Sequence, residues 1–303
     1  MKNIWITGSR GFLGNKLLLQ LKKDNEITCF THNPKKLSFQ NKIIQFDFLK
    51  KSDIIKLVEK LGLPDIFIHL GWSGMTDSES EDHLNFNVMA SKNLIMTFFE
   101  LGLDKFIFLG SRDEYGERKE CLSEEDKSLG KMTKYALAKK IVANYGFEQG
   151  KKFGQKFLHI RLFNTYGQGQ KENSLINLLY KGSQQNKLIH LGPCMHFRDF
   201  IHVSEACIGI SLIMKIDYST TINLGSGKAI RLKDFVNLFW KELGGKENMI
   251  IFESTQMRKN DPVYPESFAD LKKLKKLTNW VPKLNIIKGI KMTIQELNSI
   301  NFK

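Results

Sequence analysis

Tyr135 and Lys139 are the two side chains in this sequence best suited by type and spacing to acid–base chemistry. In a helix, a spacing of four places both on one face. A free tyrosine has a pKa of about 10, and a neighbouring ammonium group favours the phenolate and lowers that value. Such a pair can exchange a proton with a substrate near neutral pH. The same spacing is also common in ordinary amphipathic helices, so it needs a second observation.

Ser111 is that second observation, because it directly follows an apolar segment at 105–109 that has the character of a buried strand. In parallel sheets, ligands bind outside the carboxyl ends of the strands. A hydroxyl at that position can hydrogen-bond a substrate carbonyl or alcohol. We therefore predict that Ser111, Tyr135 and Lys139 form a catalytic group.

A glycine-rich loop near the N-terminus predicts a dinucleotide site. Its three glycines are spaced three apart, between a predicted strand at 3–7 and a predicted helix at 12–23. The first glycine permits a tight turn, the second lets the backbone approach a pyrophosphate, and the third lets helix and strand pack closely. Backbone N–H groups at the helix start then face the anion. The residues assigned to the cofactor here are Gly8, Gly11, Phe12, Leu13 and Gly14.

The residues after the second predicted strand, at 26–31, favour NADP(H). NAD-binding sites usually carry a carboxylate about 20 residues after the glycine loop. Here the strand is followed by His32, Lys35 and Lys36, with no acidic residue. Together with Arg10 in the glycine loop, these side chains can hold a 2′-phosphate. NAD(H) stays open, since the same cations can be ordinary surface charge.

Two further segments are assigned to the cofactor. Asp47 and Phe48 follow the strand predicted at 42–46, where the carboxylate can hydrogen-bond the adenine or cap a loop. The strand predicted at 65–70 ends in a glycine-containing segment, which lets a cofactor pass close to the backbone or forms an ordinary turn: Leu70, Gly71 and Trp72.

Strand and helix patterns alternate through the first half of the chain. Besides the strands already given, strands are predicted at 105–109 and 157–163, and helices at 52–61, 81–101 and 131–149. Continuous apolar strands alternating with helices imply a parallel sheet covered on both faces. With right-handed crossovers this is the doubly wound α/β fold, called the Rossmann fold.

The pattern becomes less regular after Asn164, which predicts two regions of different architecture. We expect a dinucleotide-binding domain at 1–164 and a smaller mixed α/β substrate lobe at 165–303. Segments near 200–227 are expected to pack back onto the first domain. A length of 303 residues suits two such regions.

The net charge of +14 raises the hypothesis of nucleic-acid binding. Only seven of the 46 basic side chains are arginines, so 39 are lysines, and they are scattered along the chain. Lysine is the poorer residue for bidentate recognition of bases and phosphates. We expect a solvated basic surface that attracts a small polyanionic ligand. We do not expect a nucleic-acid interface.

The cysteines and apolar runs indicate the expected setting of the protein. The four cysteines are far apart, and no two form a C-x-x-C pair, so neither a disulfide framework nor a cysteine zinc site is expected. No metal site is predicted. The apolar runs fall short of the roughly 18 residues needed to span a bilayer. With no signal-peptide pattern at the start, we expect no membrane association and a cytoplasmic location.

The motifs together resemble the extended short-chain dehydrogenase/reductases, in the branch that acts on nucleotide sugars. The glycine loop resembles the family's cofactor loop, and segment 111–116 resembles its catalytic Ser/Thr segment. Tyr135-x-x-x-Lys139 matches its catalytic pair, and the later signatures are matched at 161–167, 198–203 and 223–227. The resemblance covers nearly the whole chain. It implies that Ser111, Tyr135 and Lys139 are the catalytic trio, with the last two also contacting the cofactor.

The resemblance implies roles for further residues. Asn87 is similar to a helix asparagine near the family's active site, and we assign it to the cofactor together with Phe163. Asn164, Arg198 and Arg258 are assigned to the sugar diphosphate. The segments 72–80, 112–122 and 172–196 are expected to shape the sugar pocket, which adds Ser73 and Arg112 as substrate-binding residues. The resemblance also implies a homodimer formed through the helices at 81–101 and 131–149.

The branch contains 4,6-dehydratases, 4-epimerases and 4-keto reductases. Its dehydratases carry an Asp-Glu pair directly after the catalytic Ser/Thr, whereas here Arg112 follows Ser111 and the acids come one place later. This departure disfavours dehydration. The Glu-Tyr-Gly segment ending at Gly116, and the segment His69-Leu-Gly-Trp72, resemble reductases of 4-keto-6-deoxy sugars.

We therefore predict an NADP(H)-preferring reductase of a nucleotide-diphospho-4-keto-sugar, in which hydride reaches C4 while Tyr135 protonates the oxygen. One alternative is a nucleotide-sugar 4-epimerase that retains NAD. An alternative of another class is a non-catalytic dinucleotide-binding regulatory protein, which would have no need of the complete serine, tyrosine and lysine set. The nucleotide, the sugar and the stereochemistry at C4 stay open.

Overall fold

The computed structural model describes residues 1–31, 42–45, 50–253 and 266–301. The helices are α1 Phe12–Leu21, α2 Lys51–Leu61, α3 Val88–Glu100, α4 Lys134–Phe153, α5 Leu175–Gln184, α6 Val203–Ile213, α7 Leu232–Glu242, α8 Lys272–Thr278 and α9 Ile286–Asn301. The strands are β1 Lys2–Thr7, β2 Asn25–Thr31, β3 Lys42–Gln45, β4 Ile66–His69, β5 Lys105–Ser111, β6 Glu120–Leu122, β7 Lys156–Leu162, β8 Asn164–Tyr166, β9 Ile189–Leu191, β10 Phe197–His202, β11 Thr220–Leu224, β12 Ala229–Arg231, β13 Ile250–Phe252 and β14 Ser267–Ala269.

Seven strands form one parallel sheet in the order β3-β2-β1-β4-β5-β7-β11. This arrangement confirms the predicted doubly wound fold. The strand order reverses between β1 and β4, so the crevice at their carboxyl ends is the position where such sheets bind ligands. β11 joins this sheet although it follows the predicted boundary at 164, and the two-domain division itself stays a prediction.

Alternation along the strands gives the sheet two different faces. In β1, Ile4 and Ile6 point to an aliphatic core formed with α1 and α6, whereas Trp5 points to an aromatic core formed with α3 and α4. β5 repeats the pattern, with Ile107 on the aliphatic side and Phe106 on the aromatic side. Because successive side chains face opposite ways, strands apolar at every position must be buried on both faces.

The remaining strands form small sheets next to the large one. β8, β10 and β12 make a three-stranded sheet, and β9 with β13 and β6 with β14 make two-stranded ones. A separate core lies between α5, α7 and α9, with Phe235, Phe239 and Ile290 fully or almost fully buried. This is the mixed α/β character expected of the second half.

Two predicted helices differ from the observed ones. The helix expected at 81–101 begins with a π-helix, His83–Asn87, that runs directly into α3. The helix expected at 131–149 begins later, because Thr133 caps it by accepting a hydrogen bond from the N–H of Ala136 at 3.2 Å. It also extends further, to Gly154, whose left-handed φ of +69° ends it.

Within the residues that the structure describes, no helix has the length and apolar character needed to cross a membrane.

Candidate active site

α4 brings Tyr135 and Lys139 to the carboxyl end of β5. The ammonium Nζ of Lys139 donates a hydrogen bond to the carbonyl oxygen of Leu109 at 2.8 Å, two residues before the end of the strand. The same Nζ lies 5.7 Å from the centre of the Tyr135 ring. Tyr135 sits in the first turn of the helix, and its N–H donates to the carbonyl oxygen of Ser78 at 3.0 Å. The two side chains therefore share one helix face, as their spacing requires.

Ser111 is both the last residue of β5 and the cap of a short 3-10 helix, Arg112–Tyr115. Its Oγ accepts a hydrogen bond from the N–H of Asp113 at 3.1 Å. Its own N–H donates to Oε1 of Glu114 at 2.7 Å, which completes a capping box. Since Oγ accepts here, the orientation of the side chain is fixed while its hydroxyl hydrogen can be donated to a ligand.

The ammonium of Lys139 is surrounded by aromatic rings. Its Nζ lies 3.6 Å from the centre of the Trp72 ring and 4.9 Å from that of Phe108. The residue is only 3% exposed. Burial lowers the pKa of Lys139 to about 7, although the negative charge of Glu114 opposes this shift. Cation–π attraction stabilises the charged form in such a place, so Lys139 can be an ammonium at neutral pH but loses that charge easily.

Trp72 is held in place by His83, a residue that no sequence motif indicated. The indole Nε1–H of Trp72 donates to Nδ1 of His83 at 3.0 Å. Because an indole N–H can only donate, Nδ1 must accept, and Nε2–H then donates to the carbonyl oxygen of Asp77, 2.8 Å away. The His83 ring is fully buried and lies 5.3 Å from the Tyr135 ring. The Trp72 and His83 rings therefore both pack edge-on against the Tyr135 ring.

Asn87 ends the π-helix, and its amide binds the backbone near the end of β4. Oδ1 accepts from the N–H of Ser73 at 2.8 Å, and Nδ2 donates to the carbonyl oxygens of Ser73 and Asp82 at 3.1 and 3.0 Å. The side chain thereby fixes the segment that carries Trp72. A direct contact of Asn87 with a cofactor, like one of the exposed Ser73 with a substrate, stays a prediction.

A buried histidine connects the ends of β1 and β4. Nδ1 of His69 lies 2.8 Å from Oγ1 of Thr7, and its Nε2 lies 2.9 Å from Oγ of Ser91. The Thr7 oxygen also accepts from the N–H of Gly71 at 3.0 Å. Burial, together with the positive charge of Lys139, lowers the pKa of His69 to about 3, so the ring is neutral. These bonds hold the glycine loop against the segment after β4.

The glycine loop has the shape that a dinucleotide pyrophosphate requires. A Cβ on Gly8, which has a φ of +71°, would lie 2.7 Å from the nitrogen of Gly71, and one on Gly14 would lie 2.2 Å from the oxygen of Gly8. Gly11 caps α1 without a side-chain hydrogen bond, and the first turn carries no acidic residue. The helix start can therefore receive an anion. Arg10, Phe12 and Leu13 beside it are partly exposed, as is Leu70 across the crevice.

Three residues assigned to the cofactor, His32, Asp47 and Phe48, lie outside the described residues, as does Arg258. Their roles stay predictions.

Arg112 is buried, with 4% exposure. Its Nη2 donates to Oγ of Ser267 at 2.8 Å, and its Nη1 donates to the carbonyl oxygen of Gly116 at 3.0 Å. The guanidinium thus connects the 3-10 helix to β14. The substrate contact predicted for Arg112 has to compete with these bonds.

The remaining predicted substrate residues lie at β8 and β10. Asn164 begins β8 and pairs with Phe200 of β10. Arg198 in β10 is partly buried, and its Nη1 donates to the carbonyl oxygen of Phe197 at 3.1 Å. Phe163 is 3% exposed and packs with Tyr115, Leu122 and Ala269, and its contact with the cofactor stays a prediction.

Asp199, next to Arg198, holds this region together. Its buried carboxylate accepts hydrogen bonds from the N–H groups of Ser226, Gly227 and Ala269 at 2.6, 3.0 and 3.0 Å. These contacts join β10 to the segment after β11 and to β14. Across the described ranges, no group of three histidine, cysteine or acidic side chains is arranged to hold a metal ion.

Comparison with known proteins assigns this architecture to a family. The model of the NAD dependent epimerase/dehydratase family matches residues 4–225. The chain is 25% identical to the dTDP-4-dehydro-6-deoxyglucose reductase of Escherichia coli, covering 97% of each protein. It is 23% identical to the UDP-glucuronate 4-epimerase of Thermodesulfobacterium geofontis, covering 95% of this chain and 94% of that one.

Among solved structures, the UDP-glucose 4-epimerase of Thermotoga maritima superposes with a TM-score of 0.87 at 21% identity, over 99% of both chains. The resemblance to the extended short-chain dehydrogenase/reductases is confirmed, and the matched family is NAD dependent, which supports a nicotinamide dinucleotide as cofactor. With most of its length matched by the family model, the chain belongs to the NAD-dependent epimerase/dehydratase family.

Proposed function

We propose that the protein is an NADP(H)-preferring reductase of a nucleotide-diphospho-4-keto-6-deoxy sugar. The observation that carries the proposal is the meeting of α4 with the end of β5, where Lys139 is bonded to Leu109 and lies next to Tyr135. Ser111 ends the same strand. A proton donor, a cation and a hydroxyl at one place are the groups that carbonyl reduction requires.

The residues divide the reaction between them. A reduced nicotinamide, when bound, supplies a hydride to C4 of the sugar and is oxidised. Tyr135 donates its hydroxyl proton to the oxygen on C4, so the carbonyl becomes an alcohol. Ser111 donates a hydrogen bond to that oxygen and orients it. Lys139, as an ammonium, favours the phenolate that Tyr135 leaves behind.

The positions of the acidic residues support reduction over dehydration. The Glu114 side chain is fully buried and binds the Ser111 N–H, and Asp113 lies 4.0 Å from the Arg112 guanidinium. Neither is placed as a free acid–base group at the end of β5. The similarity to a dTDP-4-dehydro-6-deoxyglucose reductase over almost the whole chain adds support.

The preference for NADP(H) rests on the sequence after β2, which has basic residues where an NAD site usually has a carboxylate, and on Arg10. This residue lies in the glycine loop and is partly exposed, where a guanidinium can bind a 2′-phosphate. NAD(H) is the alternative cofactor, in line with the family's description.

The direct assay offers dTDP-, CDP-, GDP- and UDP-4-keto-6-deoxy sugars to the purified protein with NADPH or NADH, and follows nicotinamide absorbance. We expect one nucleotide series to oxidise the cofactor in a 1:1 ratio to product, and faster with NADPH. Failure of all four series with both cofactors would refute the proposal. Equal rates with NADH and NADPH would refute only the preference.

A nucleotide-sugar 4-epimerase is the second candidate, favoured by the similarity to a UDP-glucuronate 4-epimerase over 95% of this chain. The same three residues suit it, because an epimerase removes and returns a hydride at C4. Conversion of a UDP-sugar to its 4-epimer without added reductant, by protein that releases NAD on denaturation, would establish this activity in place of the reductase.

We also propose a homodimer formed through α3 and α4. Each helix exposes a large apolar side chain, Met89 at 57% and Leu137 at 38%. Sedimentation of the wild-type protein beside a Met89→Lys/Leu137→Lys variant tests this, with a dimer expected only for the wild type.

A further inference from the structure

A buried carboxylate lies directly behind Ser111. The Glu114 side chain has no exposed surface. Its Oε1 accepts from the Ser111 N–H at 2.7 Å and lies 3.2 Å from Nε2 of His159. Its Oε2 forms an ion pair with Nε of Arg161 at 3.6 Å. Three contacts hold this fully buried carboxylate in the protein interior beside β5, out of contact with a substrate.

The backbone leaves room for these contacts at one residue. A Cβ on Gly110 would lie 2.1 Å from Nε2 of His159 and 2.3 Å from Oε1 of Glu114. Only glycine therefore allows the carboxylate and the imidazole to meet beside the strand. The Glu114 site is in this way part of the same few residues that end β5 and present Ser111.

The carboxylate is ionised. Burial by itself raises the pKa of Glu114, but the charges and hydrogen bonds of His159, Arg161 and the Ser111 N–H outweigh it, so the pKa is lowered overall. The Tyr115 ring completes the surroundings, with the Arg161 guanidinium 4.4 Å from its centre.

The negative charge also acts on Lys139. Of the groups that face this ammonium, His69 on β4 is neutral, and Tyr135 lies on the same helix. Nζ of Lys139 binds the carbonyl oxygen of Leu109, and Oε1 of Glu114 binds the N–H of Ser111 two residues further along β5, so both side chains bind the same strand end. The negative charge of Glu114 favours the protonated form of Lys139. The Glu114 carboxylate thus binds the backbone of Ser111 and also contributes a negative charge that acts on Lys139.

We propose that Glu114 is a positioning residue of the reaction, which orients Ser111 through its backbone and supports the ammonium of Lys139 without contacting substrate. The mechanistic meaning of this inference rests on the proposed function. The chain carries the corresponding local signature, Ser followed by Glu at the third position, which is that of a capping box. A capping box by itself, however, predicts no electrostatic effect on a lysine in another helix.

Two conservative variants separate the two effects. Glu114→Gln keeps an oxygen that can accept from the Ser111 N–H but removes the charge. Glu114→Asp keeps the charge but withdraws it by one methylene from that N–H. Glu124→Gln is the matched control, because Glu124 is a neighbouring, partly buried carboxylate that binds the N–H of Asn223 at 2.7 Å.

The first measurement is the titration of Lys139 by NMR of protein labelled at the lysine ε-carbon. Lys139 is the signal that disappears in Lys139→Met. We expect Glu114→Gln to lower its midpoint on the order of one pH unit, the size expected for loss of a nearby charge in the protein interior. Glu114→Asp and Glu124→Gln should leave the midpoint within a few tenths of wild type. An unchanged midpoint in Glu114→Gln would overturn the electrostatic part of the inference.

The second measurement is a double-mutant cycle of turnover. We expect Glu114→Asp to lower kcat about tenfold with little change in KM. In a Ser111→Ala background, the same substitution should cost almost nothing. Equal losses in both backgrounds would overturn the positioning part, and this cycle decides it even if Glu114→Gln fails to fold.

The NMR titration needs no substrate, so a failure of the proposed function can be distinguished from a failure of the inference about Glu114. A protein that reduces no nucleotide sugar but shows the expected shift in Lys139 loses only the proposed function. A protein with the proposed activity, an unmoved Lys139 midpoint and additive kinetics loses only the inference about Glu114.

Discussion

Lys139 shows how a single residue can serve a reaction at the expense of stability. Its ammonium is buried between Trp72 and Phe108, with one hydrogen bond to a carbonyl oxygen. Burial lowers its pKa from the ordinary 10.5 to about 7. Between pH 7 and 10.5, Lys139 is therefore protonated in the unfolded chain but largely neutral in the folded chain. The free energy of unfolding thus rises with pH across that range.

Replacement of Lys139 by Met should abolish turnover and stabilise the fold at pH 6. We expect a net gain on the order of 2 kcal/mol, because removal of the buried charge stabilises the fold. Loss of the hydrogen bond and the ring contacts of Lys139 offsets part of that gain. The gain should shrink as pH rises toward 10. Urea unfolding from pH 6 to 10 measures it, with Lys140→Met as control, since Lys140 bonds to Ser128 in a partly exposed place. A variant less stable than wild type at every pH contradicts this account.

Residue types and spacing were enough to find Tyr135, Lys139 and Ser111. The spacing of four and the end of a strand indicated these residues, and the packing of α4 against β5 brings Lys139 to the strand that Ser111 ends. Glu114 and His83 were not predicted as site residues, because they act on other residues and face the interior. For His83 the sequence offered no signal, since a π-helix at 83–87 has no periodicity that separates it from an α-helix.

At the scale of elements, the contact between β1, α1 and the segment after β4 shapes the dinucleotide site. Gly14 lies at the crossing of helix and strand, and Gly8 lies against Gly71. The glycine spacing predicted the close packing of helix and strand at Gly14, and the continuous apolar strands predicted a sheet covered on both faces. The short strands β6, β8, β9 and β12 to β14 were not predicted, because three residues are too few to show a repeat.

Gly14→Ala and Gly11→Ala should separate packing from binding. A Cβ on Gly14 would overlap the oxygen of Gly8 at 2.2 Å, whereas one on Gly11 would lie 3.3 Å from it. We expect Gly14→Ala to lose about 1–3 kcal/mol of stability by overpacking. Gly11→Ala should keep its stability but bind the dinucleotide at least tenfold more weakly, because the backbone approach is blocked. Thermal melts and fluorescence titration with NADPH measure the two effects, and equal melting temperatures for both variants contradict the assignment.

The whole molecule places its chemistry where distant parts of the chain meet. β11 joins the sheet beside β7. β14 pairs with β6, although these two strands lie about 145 residues apart along the sequence. Alternating strands and helices predicted the sheet, because each unit is local. The lobe could be predicted only in outline, since its small sheets depend on such long-range pairs and on the buried carboxylate of Asp199.

Two buried histidines should make the fold sensitive to acid. Burial is the largest cause that lowers the pKa of His69 to about 3 and that of His202 to about 4, from an ordinary 6.5. The unfolded chain takes up these protons first, so the free energy of unfolding falls as pH drops below 6.5. Each histidine contributes up to about 1.4 kcal/mol per pH unit to this fall.

The His69→Asn and His202→Asn variants should each show a shallower loss of stability between pH 6 and 4.5 than the wild type. Urea unfolding at a series of pH values measures the slope, and the carboxylates titrate in all three proteins, so the difference isolates the histidine. Identical slopes would mean that these rings are already protonated in the folded chain.

Hydride transfer to C4 with a proton from Tyr135 is the central claim, and isotope transfer tests it most directly. The wild-type protein is given a 4-keto-6-deoxy nucleotide sugar with reduced dinucleotide carrying deuterium at the transferable position, and the product is read by NMR. We predict one deuterium at C4 for each cofactor oxidised, and a rate lower by about 10²–10⁴ in Tyr135→Phe with NADPH affinity unchanged. Product without deuterium at C4, or full activity in Tyr135→Phe, would contradict the account.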